Sequence, residues 1–266
     1  MTDQIEKPTN PLLANLRIPG ETFRLPSHGL FYVDGELDDN VKNGEVHVYP
    51  MTSLDEIVFK TPDMLFTGEA LRQVFARCIP QVKKPTELLA KDVDFLLTCL
   101  RMITYGSEIT LLYTHNCENA KSREYDVPLR PIIQEAKAID PTTITSTFTV
   151  RLENGQTVKL KPSTFATMLE FSQAFDVGNK MPSLEELQKS VVNVLVDIIA
   201  SVDDVTDKAL IREWATKIPA GWVRQLTAAI EQVGNWGATF ETHQNCKDCG
   251  QLITIEFNTN PVSFFS

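Results

Sequence analysis

The sequence predicts an α+β fold that is mostly helical and carries short antiparallel hairpins. Three observations lead to this prediction. In residues 88–106 apolar side chains recur at the spacing of one helical face, and a Tyr-Gly pair ends the pattern. Residues 109–114 follow directly as a β-branched strand. Farther along, alternating segments flank Asn154-Gly155, a dipeptide typical of a tight hairpin turn.

The first half of the chain is predicted to contain a strand, three helices and a second strand. Residues 1–20 are polar and contain prolines, which favours a flexible N-terminal arm. In residues 23–32 apolar side chains flank a Pro-Ser-His-Gly turn, which predicts a compact elbow packed on the first module. The predicted elements are a strand at 45–49, helices beginning near 54 and 69 and at 88–106, and a strand at 109–114.

The second half is predicted to contain a hairpin, four helices and a final strand. The hairpin spans residues 148–161. A Ser cap followed by two Glu residues predicts a helix start at residue 183, and that helix is predicted to run to residue 201. The other predicted helices lie at 165–175, 203–214 and 221–233, and the strand at 238–246.

The end of the second half repeats the order of the first, because a helix again precedes a strand that ends on His and Cys. The first strand leads to His115 and Cys117, and the later one to His243 and Cys246. The two halves are either a duplicated helix-strand module or unrelated segments of similar pattern, and the sequence leaves both interpretations open. The predicted division is an arm at 1–20, a first module at 21–135 and a second module at 145–266.

Composition restricts the class of protein. The 266 residues carry a net charge of −10 and are 42% hydrophobic, and no apolar run reaches the roughly 20 residues of a membrane span. We therefore expect a soluble chain with neither nucleic acid nor membrane as a partner. The acidic, Pro-containing start does not resemble a secretory signal, and five cysteines cannot all pair, so we expect a reducing compartment.

One spacing is typical of a metal site. Cys246 and Cys249 are separated by two residues and followed by glycine, an arrangement that supplies half of a tetrahedral zinc site. His243 is the predicted third ligand, and His115 and Cys117 would contribute if the two copies face each other. A structural zinc at these residues and a hairpin turn without metal both remain open.

No catalytic residues are predicted. A thioredoxin-type Cys pair lies at a helix start, whereas strand residues follow this one, and no glycine-rich elbow accompanies either Cys-His pair. The acidic pairs Asp55-Glu56 and Asp92/Asp94 lie at helix starts, where carboxylates are favourable without any chemistry. No phosphate-binding or dinucleotide-binding motif is present. The sequence therefore predicts a protein that is not an enzyme and has no small-molecule substrate.

Two segments are candidates for contact with other proteins. Phe264 and Phe265 lie in the last segment of the sequence and must pack back on the protein or into a neighbour. The arm at residues 1–20 is long enough to lie on another subunit.

Five segments of the first half carry a resemblance to a known family. They are LPSHGLFY at 25–32, VHVYPMTSLDE at 46–56, CI at 78–79, LLAKD at 88–92, and the helix that ends with TYG at 104–106. In this order they resemble the baseplate hub proteins of T-even-type contractile-tailed phages, and the resemblance covers roughly residues 23–130.

The resemblance implies a non-enzymatic hub subunit or hub assembly factor, whose partners are other hub and tail proteins. It also implies location in the host cytoplasm during assembly, and it leaves two alternatives open: the protein stays in the tail baseplate of the virion, or it leaves after assembly. In such proteins the strand after the Tyr-Gly helix leads to a Cys-x-x-Cys-Gly turn. This chain has lost the second Cys after Cys117 and keeps the full turn at Cys246 to Gly250. The alternative is a zinc-ribbon adaptor or a metal-dependent enzyme built on His243, Cys246 and Cys249.

Overall fold

The computed structural model describes residues 19–117, 121–142, 144, 148–175, 183–233 and 235–265. The predicted arm therefore lies almost entirely outside the described residues. Among the described residues 41% are helical and 23% are strand. The α+β class is thus compatible with the structure, while the predicted predominance of helix is not confirmed, because short strands separate most of the helices.

The elements alternate along the chain in short blocks. The helices are α1 Ser53–Phe59, α2 Pro62–Phe66, α3 Glu69–Cys78, α4 Ala90–Tyr105, α5 Leu129–Gln134, α6 Phe165–Phe175, α7 Leu184–Ile198, α8 Lys208–Ala215, α9 Ala220–Val233 and α10 Pro261–Phe264. The strands are β1 Glu21–Arg24, β2 Glu45–Val48, β3 Glu108–Thr114, β4 Ser122–Pro128, β5 Thr149–Arg151, β6 Thr157–Leu160, β7 Ile199–Val202, β8 Glu241–Asn245 and β9 Leu252–Glu256. No helix in the described part of the chain is long and apolar enough to cross a membrane.

All sheets within the described residues are small and antiparallel. β1 pairs with β2, β3 with β4, and β8 with β9, while β5, β6 and β7 form a three-stranded sheet. The strand β7 corrects the prediction of a helix that runs to residue 201. The helix ends at Ile198, and β7 then pairs with β6 through Ile199, Ser201 and Val202. The buried apolar side chains of Ile199 and Val202 fit a sheet face of the second core.

The main core surrounds α4. Its buried face carries Val93, Leu96 and Leu100, as the helical spacing predicts, and the side chains of α1, α3, β1 and β2 pack against it. The elbow closes over the start of this helix. The Ser27 amide donates a hydrogen bond to an Asp92 oxygen at 3.1 Å, and the Tyr32 hydroxyl donates to the other at 2.7 Å. The elbow therefore packs on the first module, as predicted.

A second core lies between the three-stranded sheet and helices α7 to α9. Its buried members include Val158, Leu195, Ile211 and Leu226. Asp197 on α7 accepts a hydrogen bond from the backbone amide of Thr164, which immediately precedes α6. The sheet and these helices therefore share a second set of apolar contacts, to which Leu89 and Phe31 of the first half also contribute.

The C-terminal hairpin packs on the hairpin of the first half. Tyr125 on β4, Cys246, and Ile253 and Ile255 on β9 form a small third cluster of buried side chains. The chain then returns to the main core, where Phe265 and its neighbour are buried. The terminal Phe pair therefore packs back on the protein and is not a surface for a neighbour.

Replacement of Thr52 by alanine is expected to lower the free energy of unfolding by about 1 kcal/mol, because Thr52 caps α1. Its amide donates to Asp55, and its side chain accepts from the Asp55 amide, so both halves of a capping box are present. Urea denaturation measures the effect. Thr61→Ala is the matched control, because Thr61 precedes α2 without a side-chain cap. An equal loss in both variants would contradict the capping argument.

Candidate metal centre

Four side chains from two hairpins meet at one point. The ligand atoms of His115, Cys117, Cys246 and Cys249 all lie within 4.8 Å of one another. Cys246 is buried, Cys249 is exposed, and the other two are half-buried. The group lies beside the third cluster, so the two hairpins partly shield its members from water.

The first two members come from the end of β3. His115 follows the last residue of that strand directly, and the backbone amide of Cys117 donates to the carbonyl oxygen of His115 at 3.0 Å. This local turn directs both side chains towards the second hairpin. The imidazole Nδ1 of His115 lies 3.4 Å from the sulfur of Cys249, which is a direct contact between the two hairpins.

The other two members come from the turn between β8 and β9. The Gly250 amide donates to the Cys246 carbonyl at 2.9 Å, and the Cys246 amide donates to the Gln251 carbonyl at 2.7 Å. Gly250 has a φ of +75°, a conformation that favours glycine and explains the residue after the second Cys. The sequence therefore specifies a tight turn that brings its two sulfurs together.

The turn favours a thiolate at Cys246. Backbone amides of Cys249 and Asp248 donate hydrogen bonds to its sulfur, and they lower the pKa of Cys246 to about 6 against the opposing effect of burial. A thiolate, not a thiol, is the form that binds a metal ion. By contrast, burial raises the pKa of the Cys78 thiol to about 12, which suits an inert core residue.

Contacts outside the group fix the turn against β4. The Arg123 guanidinium donates to one oxygen of Asp248 from Nε at 2.9 Å and from Nη2 at 2.6 Å. The hydroxyl of Tyr125 accepts a hydrogen bond from the Lys247 amide at 3.0 Å. Residues far apart in sequence thus hold the Cys turn in place, and no local pattern indicated Arg123 or Tyr125 as part of the site.

His243 lies outside the group of four. It is exposed on β8, where it pairs with Thr254 of β9, and its Nδ1 lies 3.0 Å from the Thr254 hydroxyl. Of the residues predicted as ligands, the structure brings together Cys246 and Cys249. The other two members are His115 and Cys117, which were predicted as additional ligands. His243 therefore contacts the neighbouring strand and is not grouped with the sulfurs of Cys246 and Cys249.

The carboxylates of Asp55, Asp92 and Asp94 all have partners with a structural role. Asp55 is buried, completes the α1 cap and forms an ion pair with Arg77. Asp94 accepts a hydrogen bond from Thr259, and Asp92 accepts those from the elbow. These partners account for the carboxylates, as their positions at helix starts suggested.

Comparison with protein families identifies a model that matches most of the chain. A family model described as "T4 bacteriophage base plate protein" matches residues 40–266. This range leaves out the first segment of the resemblance, at 25–32, and covers the other four. It extends beyond them and includes all four members of the group. No curated protein and no solved structure matches the chain significantly.

Proposed function

The chain belongs to the family of T4 bacteriophage base plate proteins, and from this premise we propose that it is a subunit of the baseplate hub or a factor that assembles the hub. The family match carries this proposal, since it covers most of the chain. A baseplate protein has a structural role in the phage tail, which suggests that it is not an enzyme. Hub assembly is the finer role, and it is supported by the segments at 25–32, 46–56 and 88–106.

Recognition of other hub proteins requires an accessible surface, which the buried Phe pair does not provide. Leu54 and Ile57 are a better candidate. They lie three residues apart on α1, hence on one face, and are 69% and 61% exposed. Adjacent exposed apolar side chains on a short helix are typical of a protein contact site. We propose that this face of α1 and the N-terminal arm contact hub proteins.

The alternative function is a zinc-ribbon adaptor or a metal-dependent enzyme. A catalytic zinc needs an open coordination position, whereas four protein side chains would fill a tetrahedral site. The arrangement of His115, Cys117, Cys246 and Cys249 therefore favours a structural metal over a catalytic one. An adaptor with such a site is compatible with a baseplate role, but an enzyme is not supported.

Fractionation of phage assembly tests the proposed role. The source phage would carry a tagged copy of the chain, and the tag would be quantified in free protein, hub intermediates and purified tails. We expect a hub subunit in both assembled fractions, and an assembly factor in hub intermediates alone. Presence only in the free fraction would overturn the proposal.

Substitution on α1 tests the proposed contact face. The double variant Leu54→Lys/Ile57→Lys is expected to bind purified hub proteins at least about tenfold more weakly, because loss of a central apolar contact costs about 1–2 kcal/mol. Leu210→Lys is the matched control, since Leu210 is 56% exposed on α8. Circular dichroism would establish that both variants fold. Equal affinity in the folded variants would exclude this face as the contact.

A further inference from the structure

We propose that His115, Cys117, Cys246 and Cys249 bind one structural zinc ion, which joins the hairpin β3–β4 to the hairpin β8–β9. The proposal concerns the isolated chain and does not depend on the hub role. It uses His115 and Cys117 in place of His243, which the sequence alone favoured.

The spacing of the ligand atoms fits a single ion. A tetrahedral zinc with bonds of about 2.3 Å to sulfur and about 2.0 Å to nitrogen places its ligand atoms roughly 3.5–3.8 Å apart. The four atoms lie within 4.8 Å of one another, and the nitrogen of His115 is 3.4 Å from the sulfur of Cys249. Contraction of about 1 Å at the longest separation would complete the tetrahedron.

The chemistry of the four ligand side chains favours zinc as the metal. Three thiolates and one imidazole are soft and borderline ligands, which favour zinc over magnesium or calcium. An iron-sulfur cluster contains several metal and sulfide ions and needs its cysteine sulfurs farther apart than in this group. Four protein ligands leave no open position for a reacting water, so the ion is structural.

The surroundings are already arranged for coordination. Backbone amides from the Cys turn point at the sulfur of Cys246, and the ion pair between Arg123 and Asp248 fixes the turn on β4. Outer contacts of this kind orient the ligands of protein metal sites.

The third cluster explains why a metal would matter. It has four described buried residues, namely Tyr125, Cys246, Ile253 and Ile255, so the apolar contact between the hairpins is small. A zinc at its edge would link residue 117 to residue 246 and close a long segment of chain. The free energy of metal binding then contributes to folding, and loss of the metal would release the C-terminal hairpin.

Metal analysis of the purified full-length chain tests the proposal. The protein would be unfolded with chelator and reductant, refolded with zinc and freed of excess metal. We expect one zinc per chain. Replacement by cobalt is expected to give a thiolate-to-cobalt charge-transfer absorption and the visible bands of tetrahedral coordination. Removal of zinc by chelator is expected to lower the thermal midpoint by about 5–10 °C.

Two single variants and a matched control locate the ion. Cys249→Ser and His115→Ala are each expected to lose stoichiometric zinc and the cobalt spectrum. His243→Ala changes an exposed histidine on the same hairpin and is expected to keep both. The cobalt spectrum of the unaltered chain reports on the ligands even if a ligand variant fails to fold.

Three results would overturn the proposal. One is a refolded wild-type chain with no stoichiometric metal, including a chain in which mass analysis finds a disulfide instead. Another is a Cys249→Ser chain that keeps its zinc and its cobalt spectrum. The third is loss of zinc in His243→Ala. Absence of the chain from hub intermediates would overturn the hub role and leave these outcomes unchanged.

Discussion

Replacement of Phe265 by alanine is expected to lower the free energy of unfolding by about 3–5 kcal/mol. Phe265 is 2% exposed and stacks on Phe59, with ring centroids 4.9 Å apart. It also makes a T-shaped contact with Phe264, with ring centroids 5.5 Å apart. Truncation removes these contacts and leaves a cavity in the main core, which the surrounding helices cannot close fully.

Urea denaturation followed by circular dichroism measures this loss. Phe66→Ala is the matched control, because Phe66 is 44% exposed on α2 and its truncation is expected to cost less than about 1 kcal/mol. A Phe265→Ala chain as stable as the control would contradict the packing of the terminal segment in the core. A variant too unstable to purify would agree with the prediction, and Phe265→Leu then gives a measurable intermediate loss.

This result bears on the proposed function. If the chain contacts hub proteins as proposed, deletion of residues 260–266 would also weaken that binding. The cause would be loss of the main core, since the Phe pair is buried and cannot touch a partner. Binding experiments with such a deletion therefore require a folding control. The exposed pair on α1 provides a cleaner test, because Leu54 and Ile57 contribute little to the core.

The elements that could be predicted from sequence are those with a strong local signal. The apolar spacing in 88–106 predicted α4, and Asn154-Gly155 predicted the β5–β6 hairpin. The strand β7 was missed because Ile199–Val202 continues the apolar pattern of α7, and only pairing with β6 distinguishes strand from helix. The short helices α2 and α5 were missed for the opposite reason, since a segment of five or six residues has no periodicity.

The candidate site, too, could be predicted only where its sequence signal is local. The spacing of Cys246 and Cys249 is local and was visible in the sequence. The similar His-Cys pattern at His115 and Cys117 was visible as well. The sequence did not indicate which histidine lies next to the two cysteines, because that depends on how two distant hairpins pack. His243 is close to the Cys pair in sequence, yet it points to Thr254 on the neighbouring strand.

The buried carboxyl of Asp92 is expected to make stability depend on pH in an unusual direction. Burial raises the pKa of Asp92 from its ordinary 3.8 to about 6, although hydrogen bonds from Ser27 and Tyr32 oppose the shift. The folded chain therefore holds this proton more tightly than the unfolded chain. The stabilising contribution is complete below pH 4 and is lost as the pH rises through 6, with a total of up to about 3 kcal/mol.

Asp92→Asn isolates this contribution, because asparagine has a similar shape and does not titrate. Its carbonyl oxygen still accepts from the Ser27 amide, and its amide group faces the Tyr32 hydroxyl. The free energy of unfolding of the variant minus that of the wild type is expected to increase between pH 4 and pH 7. Urea denaturation at a series of pH values measures the difference, in which the titration of other carboxyls cancels.

Asp38→Asn is the control of opposite sign. The hydrogen bond from Lys83 and the Asn40 amide lower the pKa of Asp38, so its contribution is present at neutral pH and is lost as the pH falls. The difference between that variant and the wild type should therefore decrease with rising pH only near and below about pH 4, and it should stay nearly constant from about pH 5 to pH 7. If the difference in unfolding free energy from the wild type had the same slope against pH in both variants, the Asp92 carboxyl would not be the group that titrates. A flat difference for Asp92→Asn would mean that the elbow stabilises the ionised form fully, and that its two hydrogen bonds offset the cost of burial.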